Sequence, residues 1–86
     1  MTITQLKYVL AVAEYKNFTL AAEKCFVTQP TLSMQIQKIE EELSINIFDR
    51  TKKPIQLTDL GRKIVDQAKN IVNEADRMQD IVEQQK

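Results

Sequence analysis

Uncharged hydrogen-bonding side chains are concentrated in one short stretch of the sequence, between Thr28 and Lys38. Gln and Thr side chains both donate and accept hydrogen bonds, so a row of them beside a lysine matches the pattern that base edges present in the DNA major groove. Apolar residues in and just after this stretch recur at spacings of four, three and four, which predicts a helix with one buried face. These apolar residues are Leu32, Ile36, Ile39 and Leu43. The opposite, polar face is therefore a candidate surface for reading nucleic-acid bases.

The two ends of this helix bear on that interpretation. Thr28 can cap the helix, and Pro30 suits its first turn because proline loses no helical hydrogen bond there. Three consecutive carboxylates follow at positions 40–42, and phosphate would repel them. If the helix enters a groove, it therefore does so by its N-terminal half, where the helix dipole also favours an anion. The alternative is an ordinary solvated surface helix, and this stretch alone leaves the two interpretations open.

The charge of the chain is balanced overall but uneven along the sequence. Lys and Arg number 12 and Asp and Glu number 12, so the chain lacks the net positive charge of proteins that bind nucleic acid by bulk electrostatics. Residues 50–63 nevertheless hold five basic side chains against Asp59 alone. The candidates for phosphate contact are Arg50, Thr51, Lys52 and Lys53. A plain solvated loop is the alternative interpretation of this segment.

Cysteine and histidine usage excludes several kinds of catalytic and metal site. Cys25 is the only cysteine and the chain has no histidine, which removes disulfides within the chain, the usual zinc sites and histidine-based nucleophile relays. Because there is also no phosphate-cradling glycine loop, we predict that the chain has no catalytic residues and binds neither metal nor cofactor. Cys25 falls at an apolar helical spacing and is expected to be a small core residue. No apolar run approaches the roughly 18 residues of a membrane span, so we expect a soluble, cytoplasmic protein.

Other elements must position these two polar surfaces. Apolar spacing predicts a first helix over residues 4–15, which a capping box from Thr2 to Gln5 would begin. A second helix covers residues 18–25, with a small alanine pair that lets another helix approach closely, and residues 26–27 form the turn into the polar helix. Residues 45–48 and 55–57 are apolar and β-branched, which predicts a small hairpin whose tip carries the basic residues. A loop over residues 44–48 is the alternative interpretation.

The last segment, from residue 59 onward, has a heptad pattern of apolar residues at a and d positions. Its members are Ile64, Ala68, Ile71, Ala75, Met78 and Val82. Such a narrow seam requires another helix, and we expect the same helix of a second copy, which predicts a homodimer. The alternative is that the helix packs back on its own domain. Because the pattern runs to the end at Lys86, we also expect the chain to be part of a longer protein.

Together these elements predict a mainly α-helical winged helix-turn-helix of three helices and a small β-hairpin wing, followed by a long linker or dimerisation helix. The predicted DNA-binding domain covers residues 1–58, and the linker helix covers residues 59–86. In this geometry the second helix of the motif lies in the major groove, and the wing tip lies beside the adjacent backbone or minor groove.

From residue 1 to about residue 85, the sequence resembles the N-terminal DNA-binding domain of LysR-type transcriptional regulators, without an obvious gap. The motifs that carry the resemblance are Leu6, Phe18-Thr19-Leu20-Ala21-Ala22-Glu23, Val27-Thr28-Gln29-Pro30-Thr31-Leu32-Ser33, Gln35-Ile36, Leu43, Phe48-Asp49-Arg50, Leu57-Thr58 and Gly61. Within the family, residues 24–33 and 65–68 are most similar to the peroxide-responsive OxyR branch.

The resemblance implies partners and a regulatory role for the whole protein. It implies dimers joined by the long helix, tetrameric full-length proteins, and binding to double-stranded promoter DNA that holds an inverted repeat with a T-N11-A core. It also implies a C-terminal regulatory domain outside this chain, which in the OxyR branch senses peroxide with its own cysteines and controls an oxidative-stress response as an activator.

The resemblance further assigns site residues position by position. Gln29, Pro30 and Thr31 fall where the family contacts bases, and Thr28, Ser33 and Lys38 fall where it contacts the DNA backbone. Arg50, Thr51 and Lys53 fall on the family's wing. Met34 departs from the pattern, because many members have an arginine there that can donate two hydrogen bonds to guanine. Methionine offers a base only apolar contact, so the base preference at this position is expected to differ.

One function of a different class competes with DNA binding. The chain could be a protein-interaction module whose heptad helix recruits another coiled coil, in which case the polar helix would be incidental. Substitution of Gln29 and Arg50 separates the two hypotheses, since only the first predicts lost DNA binding with an intact dimer.

Overall fold

Four helices and one two-stranded antiparallel sheet make up the fold, and the computed structural model describes all of residues 1–86. In chain order the elements are α1 (Ile3–Tyr15), α2 (Phe18–Lys24), α3 (Gln29–Leu43), β1 (Phe48–Asp49), β2 (Gln56–Leu57) and α4 (Asp59–Gln84). α2 and α3 form the helix-turn-helix, and the two strands form the wing. The predicted fold class, a winged helix-turn-helix with a long final helix, is confirmed.

Each helix begins at a residue whose side chain accepts a hydrogen bond from a backbone N–H in the first turn. These capping residues are Thr2, Asn17, Thr28 and Thr58. At α1 the predicted capping box is complete, because the Gln5 side chain also accepts a hydrogen bond from the Thr2 N–H. The caps satisfy donors that a helix leaves free at its start, which fixes where each helix begins.

The core lies where α1, α2, α3 and the first half of α4 meet. Leu32, Ile36 and Ile39 of α3 are fully buried, and Leu43 packs against the same core at its edge. The predicted buried face of α3 is therefore confirmed. Burial of each such aliphatic side chain stabilises the fold by about 1.5–3 kcal/mol. Cys25 is partly buried against this core, as its spacing indicated, and burial raises the pKa of its thiol.

The wing is shorter than the sequence pattern suggested. Only Phe48 pairs with Leu57 and Asp49 with Gln56, so residues 45–47 are not a strand. Ser44 adopts a left-handed conformation at the end of α3, and the Ile45 N–H donates to the Glu40 carbonyl oxygen over 3.1 Å. These residues close the C-terminal end of α3 instead of extending the hairpin.

α4 is 26 residues long, and its first half packs along α1. Val65, Ala68 and Val72 are buried there, so α1 supplies a partner that the heptad pattern alone did not reveal. The rest of α4 extends away from the core, which gives the protein dimensions of 48 × 25 × 20 Å. No helix has both the length and the apolar character that crossing a membrane requires.

Candidate nucleic-acid interface

The exposed face of α3 carries the polar row that the sequence indicated, and its members bond to one another. The Gln29 side-chain amide donates to the Ser33 hydroxyl over 2.7 Å, and the Thr28 hydroxyl donates to the Thr31 hydroxyl over 2.9 Å. Both pairs lie one helical turn apart, so the side chains are held in place on the free protein surface. The same groups can exchange these bonds for bonds to a ligand, because amide and hydroxyl groups both donate and accept.

Farther along α3, the side chains on this face differ in their availability. Met34 is 53% exposed and presents an apolar thioether in the middle of the row, while Lys38 is exposed one turn later. Gln35 turns away from this face, because its side-chain oxygen accepts a hydrogen bond from the Gln5 side chain of α1 over 2.9 Å. Gln35 therefore ties α3 to α1 rather than joining the polar row.

The wing tip carries two lysines with no protein partner. Lys52 and Lys53 are exposed and take part in none of the five ion pairs of the structure. Beside them, the backbone N–H and the hydroxyl of Thr51 both donate to the Asp49 carboxylate. The hydroxyl bond contributes most and the N–H bond next, and together they lower the pKa of Asp49. The Thr51 hydroxyl is thus already engaged, while the lysine charges are free to meet an anion.

Arg50 is held against the body of the domain. Its guanidinium Nη2 donates to Glu40 Oε1 over 3.0 Å, and the guanidinium carbon lies 4.8 Å from the centre of the Phe18 ring. These contacts join the wing to α3 and to α2, and an arginine stacked on an aromatic ring gains cation–π stabilisation. The Arg50 side chain is still 48% exposed, so its remaining N–H donors are accessible.

Glu40 anchors the wing to α3. Its Oε2 accepts hydrogen bonds from the backbone N–H groups of Ile47 at 2.8 Å and Phe48 at 3.4 Å, while its Oε1 accepts from Arg50. The Glu40 side chain is only 11% exposed. The prediction that positions 40–42 form one repulsive acidic run is therefore wrong for Glu40, because its charge points inward and is fully partnered.

The wing also joins the start of α4 through Thr58 and Gly61. The Thr58 N–H donates to the Ile47 carbonyl oxygen over 3.0 Å, and the Thr58 hydroxyl donates to the Asn46 carbonyl oxygen over 2.6 Å. A β-carbon on Gly61 would lie 2.0 Å from the Ile47 oxygen, a distance that no real β-carbon reaches. Only glycine therefore permits this close approach of α4 to the loop before the wing.

An exposed polar helix thus lies beside a wing with a basic tip. The model of the family described as "Bacterial regulatory helix-turn-helix protein, lysR family" matches residues 3–62, from the start of α1 into the first turn of α4. This chain belongs to the LysR family. The resemblance stated from the sequence motifs is confirmed, and the match covers every element of the helix-turn-helix and the wing.

Individual relatives agree with this assignment. The LysR-family chain is 40% identical over 85 residues to the DNA-binding transcriptional dual regulator OxyR of Escherichia coli K12, covering 99% of this chain and 28% of OxyR. It superposes with a TM-score of 0.93 on the BenM DNA-binding domain in a complex with benA site 1 DNA, at 36% identity, covering 98% of this chain and 94% of that one. Full-length OxyR from Pseudomonas aeruginosa gives a TM-score of 0.92 at 40% identity, covering 96% of this chain and 28% of that one. The LysR-family chain thus spans less than a third of the full-length relatives.

The structure gathers the assigned site residues of the LysR-family chain on two surfaces. We call the first the α3 face; its members are Thr28, Gln29, Pro30, Thr31, Ser33, Met34 and Lys38, all exposed except Ser33, which is half-buried. The second is the wing tip, formed by Arg50, Thr51, Lys52 and Lys53. Glu40 links the two, since it belongs to α3 and bonds to the wing.

The six heptad residues of α4 separate into three groups by their exposure. Ala68 is 1% exposed within a single protomer and lies in its own core, so it has no free surface to offer a partner. Ile64, Ile71 and Ala75 are half-buried, whereas Met78 and Val82 are 70% and 54% exposed. Ile81, which the heptad pattern left out, is 62% exposed beside them. The free apolar surface of α4 is therefore concentrated near its C-terminal end.

Sequence reasoning missed two of the residues that position the site. Glu40 lies four residues after Ile36, so the same periodicity that identified the buried face of α3 also places Glu40 at the edge of that face. A charged residue on a buried face indicates a partner, and this signal was present. The contact of Phe18 with Arg50 had no such signal, because the two residues are far apart in sequence.

Proposed function

We propose that this LysR-family chain is the DNA-binding part of a dimeric transcriptional regulator that reads a promoter containing an inverted repeat. The observation that carries the proposal is the exposed polar α3 face beside a lysine-bearing wing tip, with the buried Glu40 carboxylate holding the two together. Base edges need paired donors and acceptors, and the phosphate backbone needs cations, so this arrangement offers both kinds of contact at once.

The proposed roles follow from what each side chain can donate or accept. Gln29 and Thr31 supply hydrogen bonds to base edges, while Pro30 and Met34 supply apolar contact, for which the thymine methyl group is the natural counterpart. Thr28, Ser33 and Lys38 contact the DNA backbone from α3, and Lys52 and Lys53 do so from the wing. Arg50 positions the wing through Glu40 and Phe18, and its free donors add a phosphate contact.

The proposed dimer uses the exposed apolar end of α4. Met78, Ile81 and Val82 together present a surface that a second copy of the helix would cover. Met78→Asp should give monomers in analytical ultracentrifugation at micromolar concentration, because it places a charge in the seam without touching the protomer core. A dimer of unchanged mass would refute this interface.

We propose further that the complete regulator belongs to the peroxide-response type and forms tetramers when full length. Support comes from the 40% identity to OxyR over nearly the whole chain. This identity predicts that the chain prefers a duplex from a hydrogen-peroxide-inducible promoter over the benA site 1 duplex that the BenM domain binds. Equal affinity for the two duplexes would leave DNA binding in place but contradict the peroxide-response assignment.

The first experiment is a titration of the chain against a T-N11-A palindromic duplex and a scrambled duplex at two salt concentrations. Preference for the palindrome, with affinity that falls steeply as salt rises, is the expected result. Gln29→Ala should lower the binding free energy for the palindromic duplex by about 1–3 kcal/mol. Lys53→Ala should lower the affinity for both duplexes equally and reduce the salt dependence of binding.

Lys69→Ala is the matched control for the lysine variant, because Lys69 is also exposed but lies on α4. Equal, weak binding of the unmodified chain to both duplexes would contradict the proposal and favour a protein partner. A Gln29 variant that kept full discrimination would refute the role of that residue alone.

A further inference from the structure

Phe26, in the turn between α2 and α3, is the most exposed large apolar side chain of the protein. Its exposure is 94%, and the next most exposed large apolar side chain is Met78 at 70%. The ring takes part in no aromatic or cation–π contact, whereas Phe18, Phe48 and Tyr15 all do. The fold therefore gains almost nothing from burial of this side chain.

The backbone of Phe26 is also unfavourable for its residue type. Its φ angle is 59°, in the left-handed region where a β-carbon crowds the following carbonyl group. The other two residues in this region, Lys16 and Ser44, have polar side chains that water solvates. A bulky aromatic residue at this angle is rare, and glycine is the residue that the position favours.

Hydrogen bonds show why the conformation persists. The Val27 N–H donates to the Ala22 carbonyl oxygen and the Phe26 N–H to the Glu23 carbonyl oxygen, both over 3.1 Å. This pair of bonds is the motif with which helices commonly end, and glycine usually occupies the position that Phe26 holds. The turn therefore fixes the phenyl ring outward, in water, at a site where glycine would form the same turn with less strain.

A residue that breaks a local rule without any gain for the fold points to a role in binding. Only Val27 separates Phe26 from Thr28, the first residue of the α3 face, so the turn that carries the ring lies at the N-terminal end of that face. The α3 face itself presents mostly amide and hydroxyl groups there, and the ring adds the apolar area that those groups lack. The chemistry that matches such a ring on a DNA surface is an apolar sugar face or a thymine methyl group.

We propose that Phe26 is a further DNA-contacting residue of the α3 face, and that its ring packs on apolar atoms of the duplex beside the N-terminus of α3. The proposal rests on the DNA-binding function proposed above. A contact between this ring and DNA explains three observations together: the strained turn, the exposure of the ring and the position of Phe26 next to the α3 face.

The test compares Phe26→Gly with the unmodified chain in two measurements. The melting temperature of the free protein should stay the same or rise, by up to about 4 °C, because glycine relieves the left-handed strain. The affinity for the palindromic duplex should fall about 5- to 10-fold, and Phe26→Leu should retain part of it because leucine keeps an apolar side chain. Ile3→Ala is the control, because Ile3 is also exposed and apolar but lies away from the N-terminus of α3. It follows Met1 closely in sequence, and the Met1 amino group pairs with Glu42 near the C-terminal end of α3.

Duplexes in which uracil replaces thymine identify the atoms that the ring contacts. Contact of the ring with a thymine methyl group predicts that uracil lowers the affinity of the unmodified chain about fourfold more than that of Phe26→Gly, since both proteins lose the methyl contacts of Pro30 and Met34. Contact of the ring with a sugar predicts that uracil lowers the affinity of both proteins by the same factor, and that Phe26→Gly binds each duplex less tightly than the unmodified chain does. Either pattern supports the proposal.

Unchanged affinity of Phe26→Gly for the palindrome would overturn the proposal and assign the ring to a protein partner. A lowered melting temperature together with lost affinity would overturn it as well, because the ring would then support the fold. Failure of the unmodified chain to prefer the palindrome is a separate result, since it would refute the proposed function itself.

Discussion

Removal of the Glu40 carboxylate tests whether this side chain holds the wing to α3. In Glu40→Ala, the Ile47 N–H loses its 2.8 Å hydrogen bond and the Phe48 N–H loses a longer one of 3.4 Å, both at residues that are buried. Among the backbone hydrogen bonds outside the helices and strands, neither N–H has another acceptor. The substitution therefore leaves buried donors unpaired rather than simply removing a favourable contact.

The magnitude follows from the burial of each partner. An unpaired buried backbone N–H costs about 1–3 kcal/mol, and the long Phe48 bond adds less than the Ile47 bond. The contact with Arg50 adds little, because that side chain is 48% exposed and water screens the ion pair. We expect the free energy of unfolding to fall by about 2–4 kcal/mol, out of a total of about 5–15 kcal/mol for a domain of this kind.

Urea unfolding followed by far-ultraviolet circular dichroism measures this loss. Glu41→Ala is the matched control, since Glu41 is exposed and accepts only a 3.3 Å bond from the Gln37 side chain. The control should change the free energy of unfolding by less than about 0.5 kcal/mol. Glu40→Gln should fall between the two, because its amide oxygen can still accept from both backbone N–H groups, while its amide NH2 group would face the Arg50 guanidinium, another donor. If Glu40→Ala and Glu41→Ala were equally stable, the reasoning that Glu40 anchors the wing would be refuted.

Three further predictions concern a glycine, a wing carboxylate and the cysteine. Gly61→Ala should lower the free energy of unfolding by at least the roughly 1–3 kcal/mol of ordinary overpacking, since its methyl group would meet the Ile47 oxygen at 2.0 Å; an unchanged urea midpoint would contradict this. Thr51→Val should raise the pKa of Asp49 in an NMR titration, because the hydroxyl bond is the main cause that lowers it. Because the pKa of Asp49 is lower in the folded than in the unfolded protein, the bond stabilises the fold at pH values above the ordinary pKa of about 4, and this stabilisation is lost as pH falls through the lowered pKa. A raised Asp49 pKa in Thr51→Val would confirm that the hydroxyl bond lowers it, and an unchanged pKa would exclude that bond as the cause. Cys25 should react with iodoacetamide more slowly in the folded protein than in urea at mildly alkaline pH, because burial raises its pKa, and equal rates would contradict that burial.

The sequence by itself determined the helices and their beginnings. Helix formation and capping depend on residues three or four apart, so the caps at Thr2, Thr28 and Thr58 and the buried face of α3 could all be predicted from spacing. The polar residues of α3 and the lysines of the wing tip were also visible as a local pattern, and the family motifs joined them into one fold. These features share a physical origin in interactions between neighbours along the chain.

Tertiary contacts decided the rest, because they join residues whose separation carries no periodic signal. The pairing of Glu40 with the Ile47 N–H, the stacking of Arg50 on Phe18 and the turning of Gln35 toward Gln5 all depend on how the helices meet. The heptad pattern of α4 showed that one face is apolar, but an apolar face packs equally well on α1 or on a second copy. The tertiary structure shows which part of that face is buried within the protomer, because α1 packs on the first half of α4 and leaves the C-terminal half exposed.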